Sequence, residues 1–202
     1  MAVRIKGTNF VYFPVPKCAC TSMKTAIIAK NGQPRLGRRR NDDTVHGWRG
    51  YGTREWWREP RAYIRIPGER RFCIIRDPVD RFISAYRNRV VFLRDLGSVP
   101  DINSFAVTIE QHRRDRHIWH HVRPLVDFLG RDPAFFDRVF LLDEIGEIPE
   151  YLGIPLIIPR EQTEGPKIRR SDLSAQAVEH LRQFYSEDYR AWGKLLFRTP
   201  GA

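Results

Sequence analysis

The sequence predicts an α/β fold built on a parallel sheet, and three observations carry that expectation. Three short runs rich in aromatic and β-branched residues, at 9–16, 71–76 and 138–143, each precede a stretch with helical spacing. Proline, glycine or Asn-Gly signals punctuate the junctions. Strands that alternate with helices pair in parallel and are covered by the helices on their faces. The 202 residues suit one domain, 1–202, and the 42% hydrophobic and 12% aromatic content supplies a core and excludes wholesale disorder.

Each element follows from local chemistry. "NFVYFPVP", 9–16, is a short buried strand that leaves the sheet at Pro14, because proline cannot donate to a ladder. "CTSMKTAIIAK", 20–30, carries hydroxyl residues at its start, then helix-compatible spacing, and Asn31-Gly32 stops it. Residues 31–70 are rich in Gly, Arg and Trp with weak periodicity, an irregular insertion of the length that often carries function. "RFCIIR", 71–76, is the second strand, and Asp77-Pro78 opens a helix expected to reach about Leu96. A helix is expected within 102–115 and another over 122–129, "VRPLVDFL". "RVFLLD", 138–143, is the third strand, with a short helix after it in "EIGEIPEYLG". Residues 155–170 read as a loop, and 173–196 as one long amphipathic helix.

Charge narrows the partners. Lys and Arg number 35 against 24 Asp and Glu, a net +11. Such an excess favours an anionic partner, whether nucleotide, nucleic acid, lipid or acidic polymer, unless it is only a solvated basic surface. Cys18, Cys20 and Cys73 are odd in number and form no Cys-x-x-Cys pair, which fits neither a disulfide framework nor a zinc ribbon. No run approaches a membrane span, and "MAVRIKGTNF" lacks the apolar region of a signal peptide. The expectation is a soluble protein of a reducing compartment.

Two stretches have the chemistry of anion sites. "FPVPKCACTSMK", 13–24, is a strand-to-helix junction. Helix N-termini present N–H groups and a positive dipole end, so a loop wrapped into one becomes an anion cradle. Lys17 adds a point charge, Cys18, Ala19 and Cys20 are small, and Thr21 and Ser22 add hydroxyl donors. The Walker glycines are absent, and the same residues would also serve an ordinary helix cap with a surface lysine. "CIIRDPVDRFISAYRNR", 73–89, repeats the strand-turn-helix order. Arg76 ends the strand and Ser84 lies eight residues on, about two helical turns, so a guanidinium fork and a hydroxyl can share one phosphate.

Taken together, these residues resemble the sulfotransferases, and most closely the carbohydrate type. Lys17 to Ser22 are similar to that family's 5′-phosphosulfate loop, and "RDPVDRFISAY", 76–86, to its 3′-phosphate motif. "HHVRPLVDFL", 120–129, resembles a further family segment with His121 in the histidine place, although Leu125 stands where glutamine is usual. "FDRVFLLDEIGEIPEYLGI" and "LRQFYSEDYRAW" resemble its later strand-helix stretch and its terminal helix, where a tyrosine and an aspartate recur. The resemblance implies a P-loop-NTPase-like three-layer sandwich with a central parallel sheet. It implies 3′-phosphoadenosine-5′-phosphosulfate (PAPS) as donor, 3′,5′-adenosine bisphosphate (PAP) as product, and no metal. It also implies a late basic loop, here "TEGPKIRR" at 163–170, with Lys167, Arg169 and Arg170 as partners of the 3′-phosphate. Anchored relatives sit in the Golgi; the expectation here is a cytoplasmic enzyme of bacterial type.

The acceptor needs a base, and histidine suits the task near neutral pH. His46, in "TVHGWRG" between the two motifs, and His121 are the candidates, with Asp42, Asp43 or Glu55 as carboxylate alternatives. Arginines from 35 to 65 interleave with Trp48, Tyr51, Trp56 and Trp57, which suits a saccharide or glycolipid acceptor, neutral or acidic. Core tryptophans with solvated arginines would give the same pattern. An ATP-dependent kinase would need the missing glycines and a magnesium aspartate. A nucleic-acid-binding protein would not need two phosphate motifs placed after strands, so nucleic acid is not an expected partner.

Overall fold

The computed structural model describes residues 2–32, 67–160 and 165–198. His46, the carboxylate alternatives and the Arg/Trp stretch lie outside the described residues. Contacts group the chain into two compact units: Met1–Ile75 with Phe128–Glu161, and Arg76–Asp127 with Gln162–Ala202.

The first unit holds the sheet. Its strands are β1 (Val3–Arg4), β2 (Phe10–Phe13), β3 (Arg70–Ile75) and β4 (Arg138–Leu141), in the order β1-β2-β3-β4. β2, β3 and β4 run parallel, with Phe13 opposite Cys73 and Ile75 opposite Leu141. β1 pairs antiparallel to β2 at the edge, and the sequence reading missed it. Two residues are too few for a periodic signal; the strand exists because the turn at Gly7 folds Ile5 back onto Phe10. β2 is buried along its length and β3 from Arg71 onward, as expected of strands covered on both faces. Arg71 is held by Asp137, whose carboxylate accepts from the Arg71 backbone N–H at 2.7 Å and from its Nε at 3.2 Å, locking the start of β4 to β3.

Helix α1 (Cys20–Lys30) matches the expected bounds, and Asn31 and Gly32 end it. It buries Met23 and Ile27 completely. After β4 the chain makes a 3₁₀ turn, Leu142–Glu147, then α6 (Ile148–Leu152), closed by Gly153 at φ 62°. The left-handed residue at a helix C-terminus favours glycine, which has no Cβ to clash. Tyr151 of α6 packs against Phe10, Phe72 and Phe140.

The second unit is helical. α2 (Pro78–Ala85) starts as expected, with Asp77 Oδ1 accepting from Val79 N at 2.9 Å and Asp80 N at 3.3 Å. It does not continue to Leu96 as an α-helix. It widens into a π-helical stretch over Tyr86–Phe92, where Leu93 N reaches back to Asn88 O. α3 (Ile102–Val107) and a 3₁₀ stretch, Ile109–Arg114, occupy the expected 102–115. The helix expected over 122–129 is shifted: α4 (Arg116–Val122) precedes it, and only one turn, α5 (Val126–Leu129), follows Pro124. Asp115, which caps α4 through Ile118 N, was the overlooked start signal. The expected 173–196 helix is two, α7 (Ala175–Phe184) and α8 (Ser186–Leu196), broken at Tyr185. Tyr185 is fully buried and its hydroxyl donates to Val122 O at 2.6 Å, so a tertiary bond decides the break. Val79, Phe82, Phe105, Ile118, Leu181 and Tyr185 form the core of this unit.

Candidate active site

The first candidate anion site, in the sheet unit, is the turn from β2 into α1. Pro14 and Pro16 carry the chain off the strand, and Cys18 N closes a turn onto Val15 O at 3.2 Å. Lys17 has φ 66° and Ala19 φ 54°, both left-handed and neither a glycine. Such residues cost of order 1–3 kcal/mol each and persist where the surroundings impose them, often at ligand sites. Alternation of left- and right-handed residues turns successive N–H groups toward one side, which is the geometry of an anion nest. Ala19 is the N-cap of α1, and no side chain caps the helix there. The alternative in which Thr21 or Ser22 is the ordinary cap is therefore overturned: both lie inside the first turn. Cys18 is fully buried and Cys20 nearly so, which makes them packing residues beneath the loop rather than ligands by their thiols. Burial also raises the Cys73 thiol pKa well above its ordinary value, with a further push from Cys18, so that thiol stays protonated. Lys17, Ala19 and Thr21 remain partly exposed.

The second candidate anion site, in the helical unit, is the start of α2 after β3 and the face of that helix. Arg76 is the first residue past β3 and is partly exposed. Its neighbour Asp77 is committed elsewhere: it caps α2, accepts from the Tyr189 hydroxyl at 3.3 Å, and pairs with Arg170 Nη1 at 3.3 Å. Among the described residues the Arg76 guanidinium and the Ser84 hydroxyl have no ion-pair or hydrogen-bond partner. Asp77, Asp80 and Ser84 fall on one stripe of α2 by helical spacing.

The late basic segment lies along that stripe. Arg170 pairs with Asp77 and, at 3.8 Å, with Asp80, near the N-terminal end of α2. Five residues earlier, Gly165 sits against Arg87 beyond the other end; a Cβ there would stand 3.3 Å from Arg87 Cγ. The segment thus runs antiparallel to the helix, with Ser84 between its ends. Ile168 packs on the core while Lys167 and Arg169 are exposed. Arg170, placed with Lys167 and Arg169 as a phosphate partner from the sequence, has Asp77 and Asp80 as ion-pair partners.

Arg81 is fully buried. Its charge acts on the Asp188 carboxylate, and its guanidinium donates to the carbonyls of His121, at 3.2 Å, of Val122 and of Arg123. These are the last carbonyls of α4, where the helix dipole favours a cation. His121 lies on α4, partly exposed, with Nδ1 2.7 Å from His117 O. A carbonyl can only accept, so Nδ1 carries the hydrogen and Nε2 is the basic atom. His117 and His120 are exposed, and the His112 ring packs at a tilt against Phe105, centroids 4.8 Å apart. Among the described residues no three or more His, Cys, Asp or Glu gather as metal ligands. Leu125, where glutamine was expected, is fully buried.

A mostly parallel sheet flanked by helices, with a lysine-bearing nest after one strand and a strand-to-helix turn after the next, is the architecture of the P-loop-like group-transfer enzymes. The family is given by a further match: the model of the sulfotransferase family covers residues 3–128, more than half of the chain. The chain belongs to the sulfotransferase family, and sulfuryl transfer is its chemistry. That span includes Lys17–Ser22, Arg76, Ser84, His46 and His121; the late loop falls beyond it. No curated protein and no solved structure matches the chain.

Proposed function

We propose that this sulfotransferase moves a sulfuryl group from PAPS to a hydroxyl of a carbohydrate-type acceptor, a saccharide or glycolipid, releasing PAP, with residues 1–202 acting as one catalytic domain in the cytoplasm. The observation that carries the reading is the backbone of the first anion site: two left-handed non-glycine residues, Lys17 and Ala19, at a helix N-terminus with no side-chain cap. Strain of this kind has a use where an anion is held. A donor with two separated phosphate groups needs two such places, and Arg76 with Ser84 supplies the second, with Lys167 and Arg169 alongside. Among the described residues no helix is long and apolar enough to cross a membrane.

The roles follow from charge. As the acceptor oxygen bonds to sulfur, the bond from sulfur to the 5′-phosphate oxygen breaks and that oxygen gains negative charge. Lys17 and the N–H groups of the nest stabilise it, with Thr21 and Ser22 adding hydroxyl donors. The sulfuryl group carries less charge than a phosphoryl group, so side-chain and backbone donors serve without a metal. Arg76 and Ser84 hold the 3′-phosphate and so distinguish the donor from ATP-like nucleotides. His46 or His121 takes the acceptor proton; the Nδ1 bond of His121 leaves it in the correct tautomer for that task.

Two tests separate these roles. Arg76→Ala is expected to weaken PAP binding by about ten- to a hundredfold, the loss of a charged hydrogen-bond pair, and more than Lys17→Ala does. Calorimetric titration of both variants measures it, and the opposite ranking would exchange the two assignments. His46→Ala is expected to lower kcat by about 10²-fold or more with PAP affinity intact. If His121→Ala does so instead, the base is His121.

A further inference from the structure

We infer that Arg170 is a positioning residue: it clasps the segment from Gly165 to Arg169 against the Ser84 stripe of α2 and thereby sets the affinity for the 3′-phosphate without contacting it. The inference rests on the donor reading above. Its basis is the way the segment is pinned at two ends. At one end Arg170 reaches two carboxylates, Asp77 Oδ1 at 3.3 Å and Asp80 Oδ1 at 3.8 Å. Asp77 is a fixed anchor, since it also caps α2 and accepts the Tyr189 hydroxyl. At the other end Gly165, at φ 98°, lies against the Arg87 side chain and carbonyl, where a Cβ would meet Cγ at 3.3 Å and the oxygen at 3.4 Å. Between the pins Ile168 is packed inward, which turns its neighbours Lys167 and Arg169 outward in an extended chain.

Charge explains why a clasp is needed. Lys167, Arg169 and Arg170 put three like charges within four residues, on a segment whose other end lies against Arg87. Asp77 and Asp80 lie on the same helix face and offset part of that repulsion through Arg170. Both carboxylates lie by one nitrogen, Nη1, so the contact is one of charge that a lysine would keep in part. The clasp is half-exposed, with 41% of the Arg170 side chain accessible, so it can be removed without opening the core.

The experiment is calorimetric titration of the full chain with PAP and with 5′-AMP, which lacks the 3′-phosphate, alongside donor kinetics. Wild type should prefer PAP. Arg170→Ala should lose about fivefold in PAP affinity, the scale of one exposed ion-pair network, with AMP affinity within about twofold of wild type. Its KM for the donor should rise while kcat at saturation holds, and Arg170→Lys should recover part of the loss. Unchanged PAP affinity in folded Arg170→Ala overturns the clasp, as do equal losses for PAP and AMP, which would mark general loosening. Wild type with no preference for PAP over AMP overturns the donor reading itself, and the clasp with it. Should Arg170→Ala fail to fold, Asp80→Asn takes its place; a selective loss for PAP supports the clasp, and unchanged affinity overturns it.

Discussion

Lys17→Ala is expected to lower the turnover of sulfuryl transfer by about 10²- to 10³-fold while the protein stays folded. The size comes from the chemistry of the step. A donor aimed at an oxygen that gains charge in the transition state contributes on that scale when removed, because it acts more strongly there than in the ground state. The fold should tolerate the change because the side chain is partly exposed and the left-handed backbone at φ 66° is no harder for alanine than for lysine. Thermal unfolding should therefore move little, which separates a catalytic loss from a structural one. Lys17→Arg should recover only part of the activity: the planar fork cannot stand where a compact ammonium stands, in a loop with buried Cys18 on one side and α1 on the other. The check is initial rate with labelled donor at saturation, together with PAP titration. Wild-type turnover in Lys17→Ala would remove this lysine from the mechanism.

Local signals made half of the architecture legible before any coordinates. The end of α1 could be bounded from Asn31-Gly32, a signal that acts within a turn of itself; its start was placed correctly although Ala19, not a hydroxyl residue, is the N-cap. The start of α2 was equally plain, because Asp77 and Pro78 are N-terminal devices that work through neighbouring N–H groups. What failed depended on distant partners. The helix after Ala85 widens, and α7 and α8 separate at Tyr185 because its hydroxyl is bound to Val122, 63 residues away. No periodicity in "LRQFYSEDYRAW" reports that bond. The anion motifs were visible as residue types at the right spacing, yet the left-handed Lys17 and Ala19 were not, since nothing about lysine or alanine signals positive φ. Arg170 is a like case: as sequence it is one more basic residue in "KIRR", and nothing there reports its carboxylate partners.

Asp188→Ala should be the most destabilising single change in the helical unit, by about 3–5 kcal/mol, because it strands a buried arginine and two amides. Asp188 is fully buried in α8, and its oxygens accept from Leu125 N at 2.7 Å and Val126 N at 2.9 Å. It also neutralises Arg81, itself fully buried among the carbonyls that end α4. For a chain of this size each kcal/mol moves the midpoint by about 2–4 °C, so a fall of roughly 10 °C is expected in calorimetry at neutral pH. A shift under about 2 °C would mean the network contributes nothing net. The same residue gives a pH signature. Burial raises its pKa to about 6 from the ordinary 3.8, against the opposing pull of Arg81 and the two N–H bonds. A raised carboxyl pKa means that the folded protein holds a proton which the unfolded chain has released. Its contribution is complete below about pH 4, falls as pH rises, and is lost above about pH 6, a change of roughly 3 kcal/mol. Asp188→Asn removes the ionisation, so its stability should run flatter than wild type across that window. A wild-type profile that instead rose from pH 4 to 6 relative to Asp188→Asn would show that Arg81 and the amides outweigh desolvation, and would reverse the sign assigned to this carboxylate.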